Sequence, residues 1–525
     1  MIRHAGHHHL NMRKEGEMLL KSNGFLGVVL FIGYACGVQL DVCQVLPVAE
    51  EVTIIGGGLA GLTLAYELEK QGFLIEIYEA RPRLGGRVLS IDMNGNIAEL
   101  GGQNICDAWN GEDGQDLLII DLILELGLAL EHRRLDRFVV QYFDGTKLID
   151  VRNRLKEMLC SPRELWYKLV GLQEDAFSME DVLNKLFPFD PLLREIFSIK
   201  LADYEGGAVR LLSPFVIDSL FNRLLTCIRV SVLVSGDPVK QFSSMYVKGG
   251  NGLLIERLAE NIAGPIHLNM PLTKMRRDVD GLYHLTFADG STKTSRIVVL
   301  TMPCSVYEDI DIASDVIPEE TLTNIQQVRY GTNAKILMPS YGEQQLGVFT
   351  NGRMVCYFSK HLGTVTSYYV HENGSFDENT VQEHFERDMR LLRHVYDLPG
   401  HIPGVMLAKD AQFMKYNGPV GHSWPLDPYA KGSYSYIGAG QEEVLESIDL
   451  RDDGELVRTL FKPLHQDTLF FAGEHATVLL DICGTLEAAV ESGKRTARMI
   501  CKSWHPEYRS NSLTRALFLG ILIRN

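Results

Sequence analysis

The amino-acid sequence predicts an α/β fold centred on a parallel sheet. Three observations within EVTIIGGGLAGLTLAYELEKQGFLIEIYEA carry this expectation. A short β-branched run, Glu51 to Ile55, leads into Gly56, Gly58 and Gly61 spaced G-x-G-x-x-G. Leu62 to Lys70 is rich in helix formers with apolar residues three and four apart, and Leu74 to Glu79 reads as a second strand. Strand, tight turn, helix and strand in that order make the Rossmann-like unit that binds a dinucleotide. Each glycine has its own reason. Gly56 permits the tight turn, Gly58 lets backbone approach a pyrophosphate, and Gly61 lets helix and strand pack closely, with the helix N-terminus facing the anion. Leu59 and Ala60 belong to the same candidate cofactor-binding turn. Glu79 follows about twenty residues on, where a carboxylate accepts hydrogen bonds from ribose hydroxyls.

NAD and FAD share this half-site, so the fingerprint leaves the cofactor open. The stretch YEARPRLGGR, Tyr78 to Arg87, favours FAD. A bulky tricyclic flavin sends its pyrophosphate further along the carboxyl edge of the sheet. Gly85 and Gly86 offer close backbone approach there, and the Arg87 guanidinium can hold a phosphate in a fixed geometry. Ala80 and Arg81 extend the candidate cofactor wall beyond Glu79. EARPRLGGR followed by AELGGQ, Ala98 to Gln103, resembles the start of the flavin-containing amine oxidase family, which includes monoamine oxidases, polyamine oxidases and L-amino-acid oxidases.

The resemblance continues along the chain in the family's order. VKGGNGLLIERLAE, Val247 to Glu260, is similar to the family's GG-x-x-x-L segment, and IHLNMPLTKM holds Leu272 where the family touches the adenine end through backbone. SRIVVLTMP is similar to the strand that returns from the cofactor domain, and YGTNAKI carries Lys335 where the family has a lysine that holds a water against flavin N5. LFFAGEHA and CGTLEAAVESGKRTARMI resemble the closing cofactor segment. They imply that Gly473 and Glu474 meet the ribityl or pyrophosphate region, and that Gly484, Thr485, Leu486 and Ala488 run along the pyrimidine edge of the ring. Gly101, Gly102, Gln103, Asn104 and Trp424 complete the implied cofactor contacts. The small residues Gly484, Ala488, Ala489, Ser492 and Gly493 fit a helix packed under a planar ring, its first N–H groups stabilising negative charge on a reduced flavin.

What the resemblance implies for architecture is a Rossmann-like FAD-binding domain of glutathione-reductase-like topology with an inserted α+β substrate domain. The cofactor domain is assembled from residues 50–105, 244–305 and 462–503. Residues 106–243 (DLLIIDLILELGLAL, PRELWYKLVGL, MEDVLNKLF) read as a helical part of the substrate domain, and residues 306–461 (GVFTNG, MVCYFS, TVTSYYV, SYSYIGA) as a sheet over the flavin. Residues 504–525 form a C-terminal tail.

The implied activity is oxidation of an amine to an imine by hydride transfer to flavin N5. Hydrolysis then gives aldehyde and ammonia, and oxygen is reduced to hydrogen peroxide. Lys335 and Tyr434 are the implied catalytic residues. Tyr434, in DPYAKGSYSYIG, matches one wall of the aromatic cage that guides the amine nitrogen. The chain departs from the family at three places. Ser433 stands where monoamine oxidases carry the cysteine that holds their flavin, so FAD is expected to be noncovalent. The second cage wall falls on Thr485, leaving Trp424 or Tyr436 to compensate. The arginine that binds a substrate carboxylate in the amino-acid oxidases falls on Asn104, which favours an amine over an amino acid; Arg137 or Arg210 would sustain an L-amino-acid oxidase. A flavin-dependent desaturase or protoporphyrinogen-oxidase-like enzyme is the less favoured enzyme reading, and a noncatalytic flavoprotein is the alternative outside enzymes.

Composition agrees with a folded protein: 46% of residues are hydrophobic and 22% charged, enough for a large core. The net charge of -16 argues against a nucleic-acid partner. Nine cysteines lie without metal-ligand spacing, so no metal site is expected. The partners expected are a small-molecule amine and oxygen, with a homodimer as a further expectation. Arg13, Lys14 and Lys21 precede an uncharged run from Ser22 to Leu40 whose centre, FLGVVLFIGYA, has the length of a signal-peptide core. Residues 1–49 are therefore expected to export the protein or anchor it to a membrane, and the chain would be cytoplasmic if that segment is not recognised.

Overall fold

The computed structural model describes residues 50–106, 117–134, 140–151, 154–155, 161–228, 243–342, 347–359 and 362–505. The expected export segment, Arg137 and residues 506–525 of the tail lie outside the described residues.

A five-stranded, all-parallel sheet organises the cofactor half. Its order is Ile266–His267, Leu74–Tyr78, Glu51–Ile55, Ile297–Leu300 and Leu469–Phe471. The strands are β-branched and aromatic runs that can be covered on both faces, as parallel strands require. Val52 and Ile54 face one way with Val299 and Phe470, into a core shared with the helices Leu59–Glu69 and Leu486–Trp504. Ile55, Val298, Leu300 and Leu469 face the other way, onto Met275, Tyr283, Leu285 and Phe287 of a four-stranded sheet. Val52, Ile54, Val298, Val299 and Leu300 are fully buried, each contributing about 1.5–3 kcal/mol of transfer free energy. The two helices cross closely because Gly493 has no side chain: a Cβ there would sit 2.7 Å from the Ala60 carbonyl oxygen.

The other half is an eight-stranded sheet backed by helices. Its order is Met406–Leu407, Val420–Ser423, Ala334–Pro339, Thr364–Tyr369, Met354–Ser359, Val348–Thr350, Val140–Phe143 and Leu148–Asp150. Period two divides its residues. Ala334, Ile336, Cys356 and Tyr369 point into a core closed by the helix Val381–Val395, while Lys335, Val355 and Tyr368 take the opposite face. Three helices of the first insertion start on side-chain caps. Ser161 accepts from Glu164 N–H at 3.1 Å to open Pro162–Gln173, a capping box formed by Ser178 and Asp181 opens Met179–Leu186, and Asp190 accepts from Leu193 N–H at 3.1 Å to open Pro191–Glu205. Gly206, at φ +88°, ends the last of these helices.

The first insertion is less helical than expected. Within DLLIIDLILELGLAL the helix is Leu118–Glu125 only. Gly127, at φ +71°, turns the chain, and Leu130–Arg134 becomes a strand antiparallel to Ser243–Val247. Val140–Phe143 and Leu148–Asp150 leave the same insertion to extend the large sheet. Among the described residues no helix is long and apolar enough to cross a membrane, and no group of residues is arranged to hold a metal ion.

Candidate active site

A cavity of about 1420 Å3 runs from the glycine turn of the parallel sheet to the Lys335 face of the large sheet. This exceeds the roughly 300–1,000 Å3 of a small-molecule pocket, which suits a dinucleotide cofactor together with a substrate. Of the residues expected to be catalytic or to contact the cofactor from Gly56 to Ala488, all line it except Gly61 and Ala488. A Cβ at Gly61 would strike the Gly56 carbonyl oxygen, so this glycine serves the helix–strand contact. Ala488 is fully buried, and its N–H donates at 3.1 Å to the Thr485 hydroxyl, which caps the helix Leu486–Trp504.

At the nucleotide end a side chain on Gly58 would meet no atom within 4 Å, so that space is left to a ligand. Gly86, at φ +54°, lies against it, and Gly85 N–H donates to the Gly57 oxygen at 2.8 Å, joining the two glycine turns. Glu79 is buried. Its carboxylate accepts from Gly57 N–H at 2.6 Å and from Arg81 N–H at 2.9 Å, one donor per oxygen, so each oxygen retains a lone pair for a hydroxyl. Burial pushes the Glu79 carboxyl up, and these N–H groups with Arg81 and Arg83 oppose it.

The arginines of YEARPRLGGR divide their work. Arg81 holds both oxygens of Asp427 and reaches Asp410 at 3.3 Å, and Arg83 binds Asp410 as well. These two guanidinium groups fasten the cofactor turn to the segment before Tyr434, and Arg81 also lines the cavity. Arg87 donates to Glu474 at 2.9 Å and to the Ser433 carbonyl at 3.2 Å. Glu474 further accepts from Ser435 N–H at 3.0 Å, Ser435 Oγ at 2.6 Å and Gly484 N–H at 3.0 Å. Burial would raise its carboxyl, but Arg87, His475 and Ser435 outweigh burial and hold it below the usual carboxylate range.

At the other end the sheet register builds the wall. Lys335 pairs with Tyr368, and Tyr368 with Val355, so these side chains share one face with Tyr357, two residues further along its strand. All four line the cavity. Lys335 is buried. Its ammonium donates to the carbonyl oxygens of Glu99 at 2.9 Å and Gly101 at 2.8 Å and to Gln103 Oε1 at 3.3 Å, and it lies 5.8 Å from the Tyr368 ring centroid. Tyr434 stands against Gly484 and Gly206, where an added Cβ would lie 2.6 and 2.8 Å from its ring. Its hydroxyl donates to the Asp203 carbonyl at 3.0 Å and accepts from Asn333 at 2.8 Å; Asn333 also donates to Tyr368 at 3.0 Å. Burial holds the Tyr434 phenol well above the ordinary tyrosine range.

The residues present fit a flavin dinucleotide. Gly58 leaves room, Glu79 presents acceptors, and the cavity reaches the N-terminus of Leu486–Trp504, where Gly484, Thr485 and Leu486 form the wall. A family model described as flavin containing amine oxidoreductase matches residues 59–501. The chain belongs to that family.

As a flavin-containing amine oxidoreductase it is distant from its curated relatives. It is 22% identical over 510 residues to lysine-specific histone demethylase 1 homolog 2 of Oryza sativa subsp. japonica, covering 91% of this chain and 60% of that protein. It is 23% identical over 478 residues to nicotine dehydrogenase of Pseudomonas putida, covering 86% of this chain and 88% of that protein. The chain spans 60% or less of the length of the histone demethylase homologues of rice and Arabidopsis thaliana that it matches. It shares its fold with wild-type putrescine oxidase bound to putrescine, at a TM-score of 0.63 and 16% identity over 87% of this chain and 99% of that one.

Several family positions are occupied differently here. The Thr485 hydroxyl is spent as a helix cap, donating to the Ile482 carbonyl at 2.6 Å, so the second cage wall is absent at this position. Tyr436 does not replace it, since its ring packs against Gly207 in the core of the helical insertion. Trp424 does line the cavity, with its indole N–H on the Leu100 carbonyl at 3.2 Å. Ser492 and Gly493 face away from the cavity: Ser492 Oγ accepts from Gly473 N–H at 2.8 Å, and Gly493 faces Ala60. Arg210 is exposed and off the cavity wall; among the described residues of the insertion, Arg223 is the arginine that reaches it. Sequence reasoning also missed Tyr357, Tyr368 and Asn333. The alternation in TVTSYYV marks one tyrosine of each strand face, which is the signal that could have found Tyr368.

Proposed function

We propose that this chain is an FAD-dependent amine oxidase with noncovalently held FAD. The observation that carries the reading is a single cavity lined at one end by the glycine turns and Glu79 and at the other by Lys335, Tyr368 and Tyr434. Bound FAD supplies a hydride acceptor for the amine C–H bond, and the resulting imine hydrolyses to aldehyde and ammonia while oxygen takes the electrons to give hydrogen peroxide.

The residues of the chain orient and enclose. Gly58 and the N-terminus of Leu59–Glu69 receive the pyrophosphate, Glu79 takes the ribose hydroxyls, and Arg87 with Glu474 braces the middle of the cofactor. The Lys335 ammonium is aimed by three acceptors and holds its proton at the end of the cavity that would receive the reacting ring. The Tyr434 hydroxyl is committed to Asp203 and Asn333, so Tyr434 works through its ring face and not as a base. Ser433 cannot form the thioether that a cysteine would, which supports noncovalent FAD.

A second reading, L-amino-acid oxidase, is favoured by Arg223. It lines the cavity with its guanidinium carbon 4.0 Å from the Tyr204 ring centroid, and its buried Nε has no acceptor among the described residues. Glu205 and Asp218 on the same wall favour a cationic amine instead. Peroxide release and anaerobic flavin bleaching across primary amines, polyamines and L-amino acids test both. Bleaching by amines alone supports the first reading, bleaching by amino acids alone supports the second, and no bleaching by either class overturns both.

A further inference from the structure

One buried acid stands next to this machinery without a part in it. Glu99 closes the strand Asn96–Glu99 and is 3% exposed. Its carboxylate accepts from Asn251 N–H at 2.8 Å and from Ser90 Oγ at 2.8 Å, while its own carbonyl oxygen receives the Lys335 ammonium at 2.9 Å. The acid and the lysine are thus joined through four atoms of one residue. A second cavity, about 10 Å3, is lined by Glu99, Gln103, Asn104, Tyr246, Gly250 and Leu362. That is about the room one water needs. Gln103 and Asn104 line both this cavity and the large one, so polar side chains link the acid to the site.

We propose that Glu99 is the ionisable partner of Lys335, and that its proton sets the net charge of the pair and through it the reduction potential of the flavin. The proposal rests on the flavin reading given above. The groups that face the Glu99 carboxyl are Lys335 from Ala334–Pro339, Ser90 from Ser90–Met93, Asn251 ahead of Gly252–Glu260, and Tyr246 from Ser243–Val247, whose hydroxyl is donated to Glu131 at 2.6 Å. Of these, Lys335 is the group whose charge acts on the Glu99 carboxyl. Burial pushes the Glu99 carboxyl up to about 7, and Asn251, Ser90 and Lys335 oppose it. Glu99 therefore exchanges its proton near neutral pH.

The direction follows from charge. Protonating Glu99 leaves one more unit of positive charge beside the site, which favours the negative charge that reduction brings; ionising Glu99 removes that unit and the advantage with it. Reduction accordingly raises the affinity of Glu99 for its proton. Where the acid is ionised before reduction and protonated after it, two electrons from the reductant are accompanied by one extra proton, taken from solvent onto the Glu99 carboxylate. The only bond made at Glu99 is O–H.

The test is the midpoint potential of FAD-loaded protein, measured across about two pH units either side of neutrality. Reduction is driven by dithionite with redox dyes, so a wrong substrate assignment does not affect it. The wild-type potential should fall more steeply above about pH 7 than below it. Glu99→Gln keeps the shape, and the Ser90 hydroxyl can rotate to accept from the amide. It should lose the extra slope, match wild type in acid and lie above it in alkali. Lys335→Met should move the bend to higher pH. Infrared titration of the buried carboxylic acid carbonyl in wild-type protein is the second measurement: a band lost near neutrality and displaced upward by Lys335→Met supports the pair, whatever Glu99→Gln does to folding. A Glu99→Gln line that superposes on wild type, or an acid band indifferent to Lys335, overturns the proposal. Failure to bind flavin would instead overturn the functional reading, and the infrared titration would still decide whether the pair exists.

Discussion

Glu79→Gln separates two roles that the wild-type carboxylate combines. In the protein one carboxylate oxygen holds Gly57 N–H at 2.6 Å and the other holds Arg81 N–H at 2.9 Å. A glutamine amide has one oxygen, so its NH2 must face one of the two backbone donors. The turn then contains a buried donor without an acceptor, at a cost of about 1–3 kcal/mol to the stability of the cofactor-free protein. If ribose hydroxyls also bind here, they lose a charged acceptor, worth about 1.5–3 kcal/mol. That weakens FAD binding by about 10- to 150-fold. Titration of cofactor-free protein with FAD, followed by flavin fluorescence quenching, measures the affinity, and urea unfolding without FAD measures the stability. A variant that is destabilised yet binds FAD within about twofold of wild type would refute the ribose role and leave Glu79 as a brace for the glycine turn.

Lys335→Met should leave FAD bound and slow its reduction or reoxidation by about 10- to 150-fold, the value of one charge-assisted hydrogen bond; unchanged stopped-flow rates would discard the role given to Lys335. Acid precipitation should release the flavin to the supernatant, and flavin retained by the pelleted polypeptide would show that Ser433 does not exclude a covalent link. His475 is fully buried with no partner on either ring nitrogen among the described residues, and burial pushes it down to about 4 from 6.5, with the Glu474 charge opposing. Because the folded value lies below the unfolded one, the contribution is complete above about pH 6.5 and is lost as the pH falls through about 4, roughly 3 kcal/mol in all. His475→Gln should flatten the urea midpoint over that window, and an unchanged slope would count against a buried neutral imidazole. Gly493→Ala should cost about 1–3 kcal/mol in urea unfolding, because its Cβ would lie 2.7 Å from the Ala60 oxygen and force the two helices apart; no change would mean the helices yield freely.

The cofactor turn was legible in the sequence because its causes are local. Gly56, Gly58, Gly61 and Glu79 lie within one strand–helix–strand unit, and each residue type answers a constraint a few residues away. Lys335 and Tyr434 were reached through family resemblance, not through local chemistry. Their neighbours escaped because strand register decides them: Tyr368 meets Lys335 only once Thr364–Tyr369 pairs antiparallel with Ala334–Pro339. The ion pairs of Arg81 and Arg83 escaped for a similar reason, since their acids, Asp410 and Asp427, lie more than three hundred residues away. Tyr436 and Thr485 show the limit of spacing. One ring turns into a core and one hydroxyl into a cap, and neither choice is written in the residue type. The strand that begins at the end of DLLIIDLILELGLAL was hidden by a helical pattern that Gly127 interrupts.

The parallel sheet also dictates how the chain must fold. Its neighbouring strands Glu51–Ile55, Ile297–Leu300 and Leu469–Phe471 come from opposite reaches of the sequence, and the first described helix, Leu59–Glu69, is completed by packing on the last, Leu486–Trp504. A nascent chain can make its glycine turn early but must hold that apolar edge open through some four hundred further residues of synthesis. Loops of that length close slowly, and exposed strand edges invite association in the meantime. Completion of this sheet therefore waits for its C-terminal strand, and a cofactor that binds only the completed sheet draws the equilibrium toward it.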